Sequence, residues 1–274
     1  MQQASDIPSL KEMERDGWQQ KAAVYDAFAG QMTRVAARPL LEAVAARPGM
    51  RILDVCCGPG YGAGEAVSRG LTAIGIDIAP AMVQEARRRF PAALFKEGDA
   101  EALEFADASF DAAICAFGML HLPEPEKAIS EVFRILRPSG RYAFTVWCGP
   151  EKADLISLAL KAMTAHARMD VPLPPAPSMF AFSNPATSTA ALERAGFQEV
   201  SSEQLPIRYV GRTAEDVFDW LEKSTVRTMA LFRLQTAEAQ ERIREEIVGA
   251  ARAYSIDDQV QIPCPAVLYA ARKP

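Results

Sequence analysis

Between residues 50 and 148 the hydrophobic pattern alternates between two periods. Short apolar runs rich in β-branched and aromatic residues, RILDV (51–55), TAIGID (72–77), AALFKEG (92–98), FDAAICAF (110–117) and GRYAFTVW (140–147), read as strands. Between them YGAGEAVSRG, PAMVQEARRRF and PEKAISEVFRILRPSG place apolar residues three and four apart, which predicts helices. Strands separated by helices of this size imply right-handed crossovers and a parallel sheet covered on both faces. Gly140 after ILRPS reads as the stop of the last of these helices.

Past Trp147 the rhythm changes. ADLISLALKAMTAHARM has one apolar helix face, VPLPPAPSMFAFSNP is proline-rich and aromatic, and TSTAALERAGFQEV reads as a helix leading into a strand. TAEDVFDWLEKSTVRTMALF and AEAQERIREEIVGAARAYS follow as helical segments, and QIPCPAVLYAARK as one last strand. Ahead of the core, a helical segment carries Trp18, Tyr25 and Phe28, with Trp18 and Tyr25 at a spacing that fits one helix face. The expected architecture is α/β: a mostly parallel, Rossmann-like sheet with helices on both faces. Residues 1–46 form an N-terminal helical cap and 47–150 the ligand-binding core. Residues 151–256 are helical insertions forming a lid, with a core strand near 196–211, and 257–274 hold the last core strand.

Composition narrows the picture. The 274 residues carry 30 basic and 35 acidic side chains, a net charge of −5, which argues against phosphate neutralisation on a nucleic acid. The one tight basic cluster, Arg87 to Arg89, falls on the solvated face of a helix. Five scattered cysteines in mostly apolar runs suggest neither a disulfide framework nor a zinc site, hence a reducing compartment. Neither a secretory signal pattern nor an apolar run of membrane-spanning length is visible, so a cytoplasmic location is expected. A homodimer is compatible with this composition.

The chemistry concentrates at ILDVCCGPGYGAG (52–64), where a strand ends in Asp54 and a turn with Gly58, Gly60 and Gly62 follows. A turn after the first strand of a parallel sheet is where open α/β folds bind ligands, and its glycines let another molecule approach the main chain. GPGYGA satisfies a dinucleotide pattern, but Asp54 beneath it disfavours a pyrophosphate and suits a cationic ligand. Asp77 closes the second strand, where a carboxylate can accept both hydroxyls of a ribose. Asp99 in GDAEAL can accept a hydrogen bond from an exocyclic amine. A ribose, an adenine and a positive charge without a phosphate describe S-adenosylmethionine.

ILDVCCGPG, GIDIAPAMVQEA, EGDAEALEF, FDAAICAFGMLHL and ILRPSGRYAFTVW, in this order and spacing, resemble the motifs of class I S-adenosylmethionine-dependent methyltransferases, in particular the ubiquinone/menaquinone-methyltransferase-like branch. The resemblance implies Asp54 and Gly58 near the methionine moiety and Asp77 on the ribose, with Cys56, Pro59, Gly60 and Glu101 also in the cofactor site. It implies Ile78 and Met82 flanking the adenine, Asp99 and Ala100 at its amino edge, Cys115 and Phe117 at the end of the fourth strand, and Tyr25 closing the pocket. Members of the family usually have glycine where this chain has Cys56.

His121 follows the fourth strand on the side where the methyl group would be presented, which makes it the candidate general base. His166, within a later helix, reads as a surface or lid residue. The acceptor pocket is expected from Met163, Met169, Met179, Phe180, Phe182, the prolines from Pro172 to Pro177, Trp220 and Phe232, an apolar set that suits a small apolar or aromatic molecule. The expected activity is O-, N- or C-methylation of such a molecule. A non-methylating reaction on the same cofactor, such as cyclisation, is the alternative, because fold and cofactor pocket do not fix the chemistry.

Overall fold

Residues 7–274 are described by a computed structural model. The apolar runs form strands β1 (Arg51–Val55), β2 (Thr72–Asp77), β3 (Leu94–Glu97), β4 (Phe110–Ala116) and β5 (Leu136–Trp147), all mutually parallel where they pair. They join β6 (Gln198–Leu205) and β10 (Ala266–Arg272) in a seven-stranded sheet of order β3-β2-β1-β4-β5-β10-β6, with β10 antiparallel to both neighbours. Both faces are buried. Ile52, Ala112, Ile114 and Ala143 enter one apolar cluster, while Leu53, Val55, Ala113, Cys115 and Phe144 enter the other, the period-two division that a doubly covered sheet requires.

The covering helices are α4 (Tyr61–Ser68), α5 (Pro80–Arg89) and α6 (Pro125–Ile135) in the core, preceded by α1 (Leu10–Lys21), α2 (Gly30–Thr33) and α3 (Ala37–Ala43). Helix α1 begins at a capping box between Ser9 and Glu12, and α5 and α6 each begin at a proline, which fits the first turn because its missing N–H has no helical partner. The later part contributes α7 (Asp154–His166), α8 (Pro185–Arg194), α9 (Glu215–Ser224), α10 (Arg227–Arg233) and α11 (Ala237–Ala251). No helix of the described residues is long and apolar enough to cross a membrane.

Four boundaries differ from the sequence reading. Helix α6 stops at Ile135 and β5 starts at Leu136, so Gly140 lies inside the strand. Pro138 disfavours helix at the residue before it, and Lys273 draws the segment into the sheet, its N–H donating 2.8 Å to the Gly140 carbonyl. The expected last strand is two: β9 (Gln259–Pro263) and β10 part at Cys264 between Pro263 and Pro265. Likewise the region near 196–211 is divided at Pro206 into β6 and β7 (Arg208–Gly211). A proline cannot donate to a ladder, so both breaks let the chain leave the large sheet. β7 and β9 pair with β8 (Ser255–Ile256) in a separate three-stranded sheet. Helix α1 also ends before Tyr25, which opens a 3₁₀ turn; Trp18 and Tyr25 still meet edge to face at 5.8 Å.

Gly60, at φ +89° ahead of α4, has a backbone that only glycine adopts cheaply, and a Cβ there would lie 2.7 Å from Phe95 and 3.0 Å from Ala86. Gly60→Ala therefore costs about 2 to 4 kcal/mol, from the left-handed conformation and the overpacking together. Urea unfolding measures it; a loss below about 1 kcal/mol would mean that the turn relaxes without strain.

Candidate functional site

A cleft of about 1560 Å³, mouth included, opens where the strands of the parallel half end. Its floor comes from residues that directly follow them: Cys56 and Gly58 after β1, Asp77 and Ile78 at β2, Asp99 and Ala100 after β3, Ala116 and Phe117 at β4, and Trp147 closing β5. Successive parallel strands deliver their termini to one edge, which is why motifs far apart in sequence converge.

Two of these residues carry backbone strain. Cys56 has φ +54° and Phe117 φ +58°, a region that non-glycine residues rarely adopt. Phe117 is held by hydrogen bonds from its N–H to Thr145 and by stacking on Trp147 at 4.1 Å. At this φ a glycine would be unstrained, whereas Cys56 holds the strained conformation and brings a thiol into the cleft wall. The hydrogen-bonding interaction with Cys115, and burial after it, push that thiol well above its ordinary pKa, so it stays protonated.

Asp77 is tied to the turn. Its Oδ2 accepts the Gly58 N–H and its Oδ1 the Ala79 N–H, each at 2.9 Å, and burial raises its pKa above the usual carboxylate value. A Cβ built at Gly58, which has φ +51°, meets nothing within 4 Å, so the turn offers open main chain to a ligand. Tyr25, Ile78 and Met82 line the cleft with Asp77. Tyr25 donates to Thr33 at 3.2 Å, and burial pushes its hydroxyl up to about 12. An open glycine cradle beside a carboxylate and apolar side chains fits a nucleoside with a small charged tail.

Several expected contacts stand elsewhere. Asp54 does not line the cleft; it is 1% exposed and accepts the Ala63 N–H at 2.8 Å, which caps the first turn of α4. Pro59 and Gly60 shape the turn behind the wall, Cys115 is fully buried among core side chains, and Glu101 is buried, accepting the Glu124 N–H and pairing with Lys11. Asp99 reaches the cleft, but Lys11 donates to its Oδ2 at 2.7 Å and the Glu101 N–H to its Oδ1 at 2.9 Å. Of the expected acceptor set, Met179, Phe180 and Trp220 line the cleft, Met163 and Phe182 pack in the core, Met169 is exposed, and Phe232 packs on Phe218. His166 ends α7 with Nε2 2.6 Å from Glu246, away from the cleft.

His121 lines the cleft beside a residue the sequence reading missed. Glu14, only 3% exposed, accepts from the Trp18 indole at 3.0 Å, lies 3.1 Å from the Nε of Arg227, and stands 3.1 Å from His121 Nδ1, in ion-pair range without hydrogen-bond alignment. Arg227 also donates to the carbonyls of Pro177, at 3.1 Å, and Leu120. The available signal was register: Leu10, Glu14 and Trp18 recur every fourth residue, so the carboxylate sits within an apolar stripe.

Residues 53–144 match the family model described as a methyltransferase domain. The demethylmenaquinone methyltransferase of Renibacterium salmoninarum is 34% identical over 146 residues, 52% of this chain and 62% of that protein, so the chain spans less than two thirds of that relative. The nocamycin O-methyltransferase of Saccharothrix syringae is 28% identical over 92% of this chain and 95% of its own length. Among solved structures, a phosphoethanolamine N-methyltransferase of Haemonchus contortus in complex with S-adenosylhomocysteine shares the fold, with a TM-score of 0.54 and 19% identity over 87% of this chain and 52% of that one.

Complete burial raises the Asp54 pKa to about 7 in the ligand-free chain, against about 3.9 when unfolded. Between pH 4 and 7 the unfolded chain has then released a proton that the folded chain retains, so stability falls as pH rises, by up to about 1.4 kcal/mol per pH unit. Asp54→Asn should flatten this decline in urea titrations from pH 4.5 to 7. Equal slopes for parent and variant would show that Asp54 ionises in the folded chain near the ordinary carboxylate value.

Proposed function

We propose that this chain, whose residues 53–144 are a methyltransferase domain of the class I S-adenosylmethionine-dependent kind, methylates a small apolar or aromatic molecule. The observation that carries the reading is the division of one cleft: an open glycine turn and Asp77 on one side, and Trp147, Ile156, Leu160, Met179 and Phe180 on the other. The names of the relatives, a demethylmenaquinone methyltransferase and a nocamycin O-methyltransferase, support a small-molecule acceptor.

Asp77 retains lone pairs beyond those taken by Gly58 and Ala79 and accepts the two ribose hydroxyls. Ile78 and Met82 flank the adenine, Ala100 and Asp99 border its amino edge with Lys11 as a competitor, and Tyr25 closes the pocket. Gly58 and Cys56 lie along the amino-acid tail, with Asp54 acting behind the turn by holding the start of α4. When bound, S-adenosylmethionine supplies a methyl group already activated by its sulfonium. The chain contributes alignment and exclusion of water, and alignment alone can supply about 7 to 11 kcal/mol. The segment from Pro172 to Phe182 closes over the acceptor, with Met179 and Phe180 inward and Pro177 held by Arg227.

His121 takes the acceptor's proton when the acceptor is a weak acid. Glu14 stands 3.1 Å from Nδ1, which leaves Nε2 as the nitrogen that receives the proton.

Release of S-adenosylhomocysteine on incubation with a panel of phenols, enols and quinols tests the activity; consumption of an acceptor without that release would indicate cyclisation or another non-methylating reaction. Asp77→Ala should weaken S-adenosylhomocysteine by about 1 to 3 kcal/mol in calorimetry while the fold persists, and unchanged affinity would remove Asp77 from the ribose. His121→Ala should lower turnover about 10²- to 10⁴-fold with cofactor affinity close to the parent's. Full turnover in that variant would leave alignment as the whole of catalysis.

A further inference from the structure

Helix α9 presents Trp220, Leu221 and Ser224 to the cleft, and Trp220 and Ser224, four residues apart, share one helix face. Both are more than nine-tenths buried, at 7% and 8% exposure. Neither the indole Nε1–H of Trp220 nor the hydroxyl of Ser224 has a hydrogen-bond partner. Comparable groups nearby are satisfied: Trp18 donates to Glu14 at 3.0 Å, and Thr225, the next residue after Ser224, donates back to the Leu221 carbonyl at 2.8 Å. A serine in a helix can back-bond in the same way, so an unpaired Ser224 hydroxyl is a departure from the local alternative. An unpaired buried donor costs about 1 to 3 kcal/mol, and two on one face of a cleft wall call for a partner.

The same cleft is lined by Ile156, Ala159, Leu160 and Leu221. An indole N–H can only donate, so the missing partner must accept. We infer that Trp220 and Ser224 form a two-point clamp for a hydrogen-bond-accepting oxygen of the methyl acceptor. The acceptor class is thus an apolar molecule bearing a carbonyl or similarly accepting oxygen. This inference rests on the methyltransferase reading for the identity of the ligand as an acceptor, but the clamp itself is defined by the cleft wall. It also assigns α9, which lies outside the matched domain at residues 53–144, a specificity-determining role.

Calorimetric titration of the full chain with 1-tetralone and with tetralin, the ring system of the same shape without the oxygen, tests it in the presence of S-adenosylhomocysteine. Ser224→Ala should weaken 1-tetralone about 3- to 10-fold and leave tetralin within twofold; Trp220→Phe should weaken the ketone by a similar factor more than the hydrocarbon. Removing an unpaired polar group should leave the melting temperature of ligand-free Ser224→Ala at or above the parent's. The clamp is overturned if the parent does not bind 1-tetralone, if both variants weaken the two probes equally or not at all, or if Ser224→Ala lowers the melting temperature, as loss of an internal hydrogen bond would. S-adenosylhomocysteine affinity, measured separately, keeps the two readings apart: its absence with the ketone selectivity intact would sink the methyltransferase reading and leave the clamp.

Discussion

A buried carboxylate on the first helix organises everything that encloses the cleft. Glu14 meets Trp18 on its own helix, His121 after β4 and Arg227 on α10, and Arg227 reaches on to the carbonyls of Leu120 and Pro177. The charges are buried together: the Glu14 side chain is 4% and the Arg227 side chain 15% exposed. Removing one member would leave the other uncompensated, which is far more costly than the pair itself is stabilising. Helix α1, the loop after β4 and the segment around Pro177 are therefore joined through α10, and His121 is placed by that arrangement rather than by β4 alone.

On the floor of the cleft the corresponding device is backbone hydrogen bonding to carboxylates. Asp77 ties the turn after β1 to the start of α5, and Asp54 ties the end of β1 to the start of α4. Each uses a side chain to satisfy helix-start N–H groups that the helix cannot, and the two share the work that one ligand-binding reading assigned to both. With the turn held from below, Gly58 faces open space and Cys56 tolerates a strained φ. The floor is thus polar and tied by hydrogen bonds, and the late helices add apolar side chains to the cleft together with two unpaired donors.

The limits of legibility follow particular residues. The central parallel strands β1, β2 and β4 were readable because a strand buried on both faces must be apolar at almost every position, and the ends of the strands marked the cleft edge. The end of α6 was misread because Gly140 looked like a helix stop, while the pairing of Lys273 with Gly140 is invisible from either segment alone. The division of the last strand and of the region near 196–211 lay in Pro206, Pro263 and Pro265, whose consequence, a second sheet, depends on which partner each fragment finds.

The sequence by itself determined the α/β alternation, the edge where ligands bind and the residue types gathered there, since these depend on local periodicity and on motif spacing within adjacent units. Tertiary structure alone decided which carboxylates face the cleft and which brace it, and that Glu14, Trp220 and Ser224 belong to the same cavity as Asp77. Those placements rest on side-chain direction and on contacts across more than a hundred residues, where burial and pairing with a distant partner, not local pattern, set the free energy of each polar group.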